Sequence, residues 1–546
     1  MSDDSVEMIR KEISKLHKQT FFKAVYVIVA LLLISSIVLT GCSSEETTQT
    51  TGQPTATTTE SKYGGTLKVL DAMQGSAFGY PLKMALLYGN KQAGPAIESL
   101  IVTDKEGQPV PWLASGWEIA DDQKSITFTL RENVKFHDGT DFNAEAAKWN
   151  LDQFLDAKYS GTTNIASIDV IDNYTIRMNL TKWDNTILSS MTIIIGLVIS
   201  PTAFKEHGQE WCETHPVGTG PFEFVSFTPD VNTIYKKFDG YWQEGKPYLD
   251  GIEMGAIQDV TTREYSFRNG DADVVLMLGS DQVLKLEEEG YPYNDTPTWV
   301  GIVCMVPDSA NEDSPWSNLK VRQAAMYAID VQSMANGIFS GNAIVSNQWT
   351  YEGHWSYNPS IVGYPYNPEK AKQTLADAGY PDGFETTLSF VTDPDMDRIF
   401  AAVQNYLGEI GIRVTLNPEN APKWAETALG GGTWEGLIYG TASSSPSFTQ
   451  AFERAYSGTT TWYNSMEVPD DLYQTIEKAT GASDINVEQQ SIRDAMELLI
   501  DKYCLVLPLV QGKGAAISQK YVHDHGFQET PNGFLWTPAD AWMEKH

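Results

Sequence analysis

Four cysteines and eight histidines are the side chains of this 546-residue chain with the most chemistry open to them, and their spacing narrows it. No Cys-x-x-Cys pair and no zinc-type Cys/His spacing occurs around Cys212, Cys304 or Cys504. Cys304 and Cys504 lie in apolar, strand-like stretches, 300–306 and 503–510, and read as small buried hydrophobes, with a bridge between them left open. His523 and His525 share a face if their segment is a strand, but no third nitrogen or carboxylate joins them, so no metal is expected. His137, alone before Asp138-Gly139, reads as turn architecture and not as a general base. Gly218-Thr219-Gly220-Pro221 lacks the further glycine and the Lys-Ser/Thr of a phosphate loop, which leaves a tight turn into a strand. No Gly-x-Ser-x-Gly, His-Glu-x-x-His or paired-acid motif stands out, which counts against a hydrolase. No enzymatic activity and no cofactor are expected.

Cys42 stands apart from the other thiols. It ends Leu39-Thr40-Gly41-Cys42, directly after an apolar run over 24–40, which is shorter than the ~20 residues of a bilayer span. The pattern resembles a lipoprotein lipobox, in which 1–41 is removed and the cysteine is lipidated. The competing reading is an uncleaved anchor. The lead over 1–20 is long and carries Asp3, Asp4, Glu7 and Glu12, which puts the start at Met1 in question. On either reading the body is extracytoplasmic, and on the first it is lipid-anchored to the cell membrane. The stretch 42–62 is Ser, Thr, Gln, Glu, Gly and Pro with almost no apolar residue, and reads as a disordered tether.

A body of 63–546 is too long for one core and predicts two or three lobes. With 71 acidic against 38 basic residues, a formal charge of −33 argues for solubility and against nucleic acid. Fifteen Trp and 25 Tyr are many for packing alone and suit a cleft that holds small molecules or peptides.

These residues need a scaffold, and the chain predicts an α/β one. Gly64-Gly65-Thr66-Leu67-Lys68-Val69-Leu70 reads as a strand entered by a glycine turn. A strand over 386–391, a helix carrying Ile399, Ala402, Val403, Tyr406, Leu407 and Ile410, and a strand over 412–416 make a β-α-β unit with parallel strands. Asn367 is placed to cap a helix with Pro368 in its first turn. Val321, Ala325, Ala328 and Ile329 form one apolar helix face, with Arg322 and Gln323 expected to face water. Alternating strands over 126–130 and 174–180, with an Asn143-capped helix between them, read as a small inserted lobe.

In this order these segments resemble the family 5 extracytoplasmic solute-binding proteins of ABC importers, the peptide- and nickel-binding type. The resemblance is carried by Phe128-Thr129-Leu130-Arg131 with Val134-Lys135-Phe136-His137-Asp138-Gly139-Thr140, by Val217-Gly218-Thr219-Gly220-Pro221-Phe222 and by Asp239-Gly240-Tyr241-Trp242. Val321-Arg322-Gln323-Ala324-Ala325, Tyr366-Asn367-Pro368-Glu369-Lys370-Ala371 and Ala378-Gly379-Tyr380-Pro381 continue it over nearly the whole body. It implies a bilobal periplasmic-binding-protein-like fold that closes by hinge motion on a solute and presents it to a permease. The first lobe is expected over 63–108, 216–300 and 508–546, with an inserted subdomain at 109–215, and the second over 301–507. The two hinge crossings are expected near 300–306 and 506–511. The protein is expected to be a monomer.

In peptide binders of this family an acid within a Gly-Trp-x-x-Asp-Tyr-x-Asp-Pro-like stretch receives the ligand's α-ammonium. The corresponding stretch here is Tyr439-Gly440-Thr441-Ala442-Ser443-Ser444-Ser445-Pro446, without the acid. A buried ammonium without a carboxylate costs several kcal/mol, so an ordinary free peptide amine is expected to bind poorly there. The ligand-facing set is expected to comprise Gln74, Asn90, Trp349, His354, Tyr439, Thr441, Ser443, Ser444 and Gln511. Such a surface suits a modified peptide, a glycoside or a small metal chelate. A sensor reporting solute to a membrane receptor is the alternative on the same fold.

Overall fold

The computed structural model describes residues 62–84, 88–105, 107–159, 161–294, 302–440, 447–527 and 536–545. Within them two main sheets form, one of seven strands and one of five, each backed by its own apolar core. In the first, Thr66–Asp71 runs parallel to Gly251–Ala256 on one side and to Val274–Val275 on the other. Leu67, Val69 and Asp71 point inward along it, the period-2 alternation of a half-exposed strand. Phe222–Thr228 and Asn232–Lys237 extend one edge antiparallel; Ala516–Ser518 and Tyr293–Asn294 extend the other.

The second sheet contains the β-α-β unit predicted from the sequence. Phe384–Val391 and Ile412–Glu419 are parallel, with Phe384 opposite Ile412 and Val391 opposite Glu419. Between them runs the helix Pro394–Glu409, capped by the Asp393 carboxylate on the Asp395 and Met396 amides, with Ile399, Phe400, Val403 and Leu407 buried. Leu437–Gly440 is also parallel to Phe384–Val391, and Cys304–Pro307 and Leu507–Pro508 complete the sheet antiparallel. A smaller four-stranded antiparallel sheet, Ala114–Ile119, Ser125–Leu130, Ile165–Asp172 and Thr175–Leu180, packs on the helix Ala144–Asp156. That helix is capped by Asn143, as its sequence predicts.

The chain leaves the first sheet after Asn294, enters the second at Cys304, and returns between Pro508 and Ala516. The return segment is braced by Ala343–Val345, which pairs with Val510–Gly512. A Cβ at Gly512 would lie 2.6 Å from Ser280 Oγ and 2.7 Å from the Phe339 ring, so the backbone is squeezed between a first-sheet helix and a second-lobe helix. Among the described residues no helix is long and apolar enough to cross a membrane. Cys212, Cys304 and Cys504 are buried free thiols.

The family-like motifs turn out to be mutual braces. Glu98, only 4% exposed, accepts hydrogen bonds from Trp112 Nε1 at 2.9 Å, Thr219 Oγ1 at 2.8 Å, Tyr241 OH at 2.9 Å and Trp242 Nε1 at 3.0 Å. The Arg131 guanidinium lies 4.8 Å from the Trp242 ring centroid, so a third motif packs against one of the carboxylate's donors. Burial raises the Glu98 carboxyl, and its four donors oppose that rise.

A Cβ on Gly218 would sit 2.1 Å from the Ala96 carbonyl oxygen, and one on Gly220 would sit 2.6 Å from that of Pro95. These glycines therefore permit backbone-on-backbone contact and do not cradle a phosphate. His137 locks the same turn: its Nε2 contacts the Gly220 carbonyl at 2.9 Å, and burial lowers its pKa to about 4.

Arg322 corrects one expectation. It does not face water but is 2% exposed, donating to the Trp316 carbonyl at 2.7 Å, Ser317 at 2.9 Å, Tyr503 at 2.8 Å and Cys504 at 3.1 Å. Its planar fork fits a ring of carbonyls, which is what makes its burial tolerable. Gln323 beside it is half-buried, with Nε2 3.4 Å from Tyr364 OH.

Candidate functional site

Open α/β sheets hold solutes beyond the carboxyl ends of their parallel strands. In the first lobe Thr66–Asp71 ends at Asp71, which forms a buried ion pair with Lys91 of the short helix Tyr88–Ala93. Arg263 ties down the neighbouring strand ends by donating to the carbonyls of Leu276 at 3.1 Å and Gln258 at 3.2 Å, and also to those of Ile257 and Met277. Tyr88 lies between the lobes. Burial, then the Asp71 carboxylate, raise its hydroxyl pKa, and Asp393 of the second lobe adds to the rise.

Gln74 follows the strand Thr66–Asp71, and Asn90 lies on the helix Tyr88–Ala93. In each side-chain amide, both the oxygen and the nitrogen are buried without a hydrogen-bond partner. Buried polar atoms are almost always paired, and these two amides are exceptions.

In the second lobe, Tyr439 packs its ring against Trp424 and Phe400 at the end of Leu437–Gly440. Trp349 is fully buried, ringed by Phe448, Phe452 and Tyr456, and is a core residue of that lobe. His354 lies on a cavity wall, its Nδ1 2.7 Å from Ser356 Oγ, and burial lowers its pKa to about 4, so it is neutral near pH 7. Gln511 stands in the return segment opposite Ile344, with Nε2 3.2 Å from the Gly512 carbonyl oxygen. Thr441, Ser443, Ser444 and Cys42 lie outside the described residues.

The two halves are also tied together away from the strand ends. Asn185, just past the inserted sheet, donates its backbone N–H to the Thr480 carbonyl at 2.9 Å and its Nδ2 to that of Ala479 at 2.8 Å, at the end of the helix Asp470–Thr480. Both carbonyls belong to the last turn of the helix, whose end is open to outside donors. Trp183 Nε1 reaches the Ala482 carbonyl at 3.2 Å, Lys182 pairs with Glu477 at 2.9 Å, and Gln450 bonds the Ser190 hydroxyl. Sequence reasoning missed this clasp, and also Asp71, Lys91 and Glu98. An Asp-Asn-Thr run after a strand signals a turn, not a partner helix some 294 residues away.

Among the described residues no three His, Cys, Asp or Glu side chains gather into a metal-binding group. The model of bacterial extracellular solute-binding proteins, family 5 (middle), matches residues 108–463. The glutathione-binding protein GsiB of Shigella dysenteriae is 30% identical over 463 residues, covering 81% of this chain and 88% of that protein; GsiB of Salmonella typhi is 29% identical over the same length and shares. In structure, the chain is similar to the periplasmic binding protein DppA of Helicobacter pylori in complex with the peptide STSA. The TM-score is 0.74 at 23% identity, covering 88% of this chain and 99% of that one. NikA of Brucella suis in complex with Fe(III)-EDTA gives a TM-score of 0.73 at 21% identity, covering 87% and 100%. With the two-sheet architecture and the motif braces, these matches place the chain in family 5 of the bacterial extracellular solute-binding proteins, the solute-capturing components of ABC importers.

Proposed function

We propose that this chain is a lipid-anchored, non-enzymatic capture protein that closes on a small, polar, peptide-like ligand lacking an ordinary free α-ammonium, and hands it to an importer permease. The observation that carries the reading is the pair of unpaired, buried amides at Gln74 and Asn90. Amides complement amide, hydroxyl or blocked carboxyl groups, each offering one donor set and one acceptor. The nearby cations are committed elsewhere, Lys91 to Asp71 and Arg263 to backbone carbonyls. The acid-free sequence 441–445 supports the same ligand class from the second lobe. Glutathione, which the relatives are named for, is a modified peptide that keeps an α-ammonium, but beside a free α-carboxylate on its γ-linked glutamate and not at an ordinary peptide N-terminus.

Anchoring through Cys42 and action as a monomer complete the proposal. A tethered binder meets a permease in its own membrane at high effective concentration. A thermal-shift screen of the purified protein against glutathione, standard di- and oligopeptides, sugars, and nickel with and without chelators tests the ligand class. A shift with a γ-linked or N-blocked peptide and none with standard dipeptides is expected. A large shift with unmodified dipeptides contradicts it.

A further inference from the structure

The clasp encloses something beyond its own hydrogen bonds. Between the inserted subdomain and the second lobe lies a cavity of about 190 Å³, room for one small organic ion. Its walls include the rings of Trp183, Trp355 and Phe448, the last two meeting edge to face at 5.9 Å and 81°. Glu488 brings a carboxyl group to this wall; burial raises its pKa and the Thr449 hydroxyl opposes the rise. It accepts a hydrogen bond from Thr449 Oγ1 at 2.6 Å, and no basic side chain pairs with it among the described residues. Of the cations on the surrounding elements, Lys182 pairs with Glu477 and Arg493 donates to the Trp355 carbonyl at 2.8 Å. His354, also on the wall, is neutral near pH 7.

A half-buried carboxylate without a counter-cation is an unfavourable arrangement, and aromatic faces around it are the surface that accepts a poorly hydrated cation. We infer that this cavity is a second binding site, for a small alkylammonium ion, whose positive charge meets Glu488 while its methyl or methylene groups contact the three rings. Because residues from both halves build the walls, the ion favours the closed arrangement over the open one. The net charge of −33 concentrates cations around the molecule and so assists capture.

The test is calorimetric titration of the full-length protein with tetramethylammonium chloride at low salt, beside tert-butanol as a neutral probe of similar shape. Saturable binding of tetramethylammonium, none of tert-butanol, and affinity about tenfold or more weaker in Glu488→Gln, at a melting temperature no lower than the wild type's, are expected. The inference is overturned if the wild-type protein does not bind tetramethylammonium, if tert-butanol binds equally well, or if Glu488→Gln binds as the wild type does. The comparison of the two probes on the wild-type protein stands even if the variant is unstable. Its result does not depend on which solute the main cleft holds.

Discussion

Glu98 shows what single residues contribute here. Its four donors come from positions 14, 121, 143 and 144 residues away, and no local pattern announces them. The motifs containing Thr219 and Tyr241-Trp242 were legible as family signatures, but their physical purpose emerges only when the chain brings them to one carboxylate. Glu98→Ala leaves two indole N–H groups and two hydroxyls facing a cavity. It is expected to cost about 3–5 kcal/mol, read as a lower denaturation midpoint, with Glu98→Gln costing less because the amide oxygen still accepts. A loss below about 1 kcal/mol for the alanine variant would show the carboxylate to be no brace. Arg322 was misread for a related reason: a charged residue beside an apolar stripe normally marks the wet face, and only the carbonyls of Trp316, Ser317, Tyr503 and Cys504 make the exception visible.

Among the elements, the turn over 182–185 with the short helix Thr186–Met191 and the helices Phe448–Tyr456 and Asp470–Thr480 form the clasp, and Glu453 gives it a pH dependence. Burial first, then the Asp184 carboxylate from the inserted subdomain, raise Glu453 from 4.5 to about 7; Glu477 adds to the rise, and Arg454 and Lys182 oppose it. A carboxyl with a folded pKa above its unfolded value binds more protons when folded, so stability falls as pH rises from about 4.5 to about 7 and is level beyond. Glu453→Gln removes that term. Its melting temperature is expected to exceed the wild type's above about pH 7, with the difference shrinking toward about pH 5. A difference constant across that range would contradict the assignment. The β-α-β unit at Phe384–Glu419 was legible because a long periodic helix lies between two apolar strands with a glycine stop. The clasp was not, because its contacts are side chain to carbonyl across hundreds of residues.

At the scale of the whole molecule, two α/β lobes present strand ends to one another, and a capture protein needs contacts from both, since a solute shifts the open–closed balance only by its preference for the closed state. The family-level architecture could be read from the sequence. The Asp71–Lys91 pair and the Arg263 staple could not be read from it, because they depend on strand ends that come together only in the fold. The central claim is that the cleft holds a small peptide-like solute without an ordinary free α-ammonium. Mass spectrometry of whatever small molecule co-purifies with the protein, on the wild type beside a Gln74→Ala/Asn90→Ala variant, tests it most directly. The account predicts a blocked or modified peptide-like compound that is retained by the wild type and lost from the variant. An unmodified peptide with a free amino terminus, held equally by both, would contradict it.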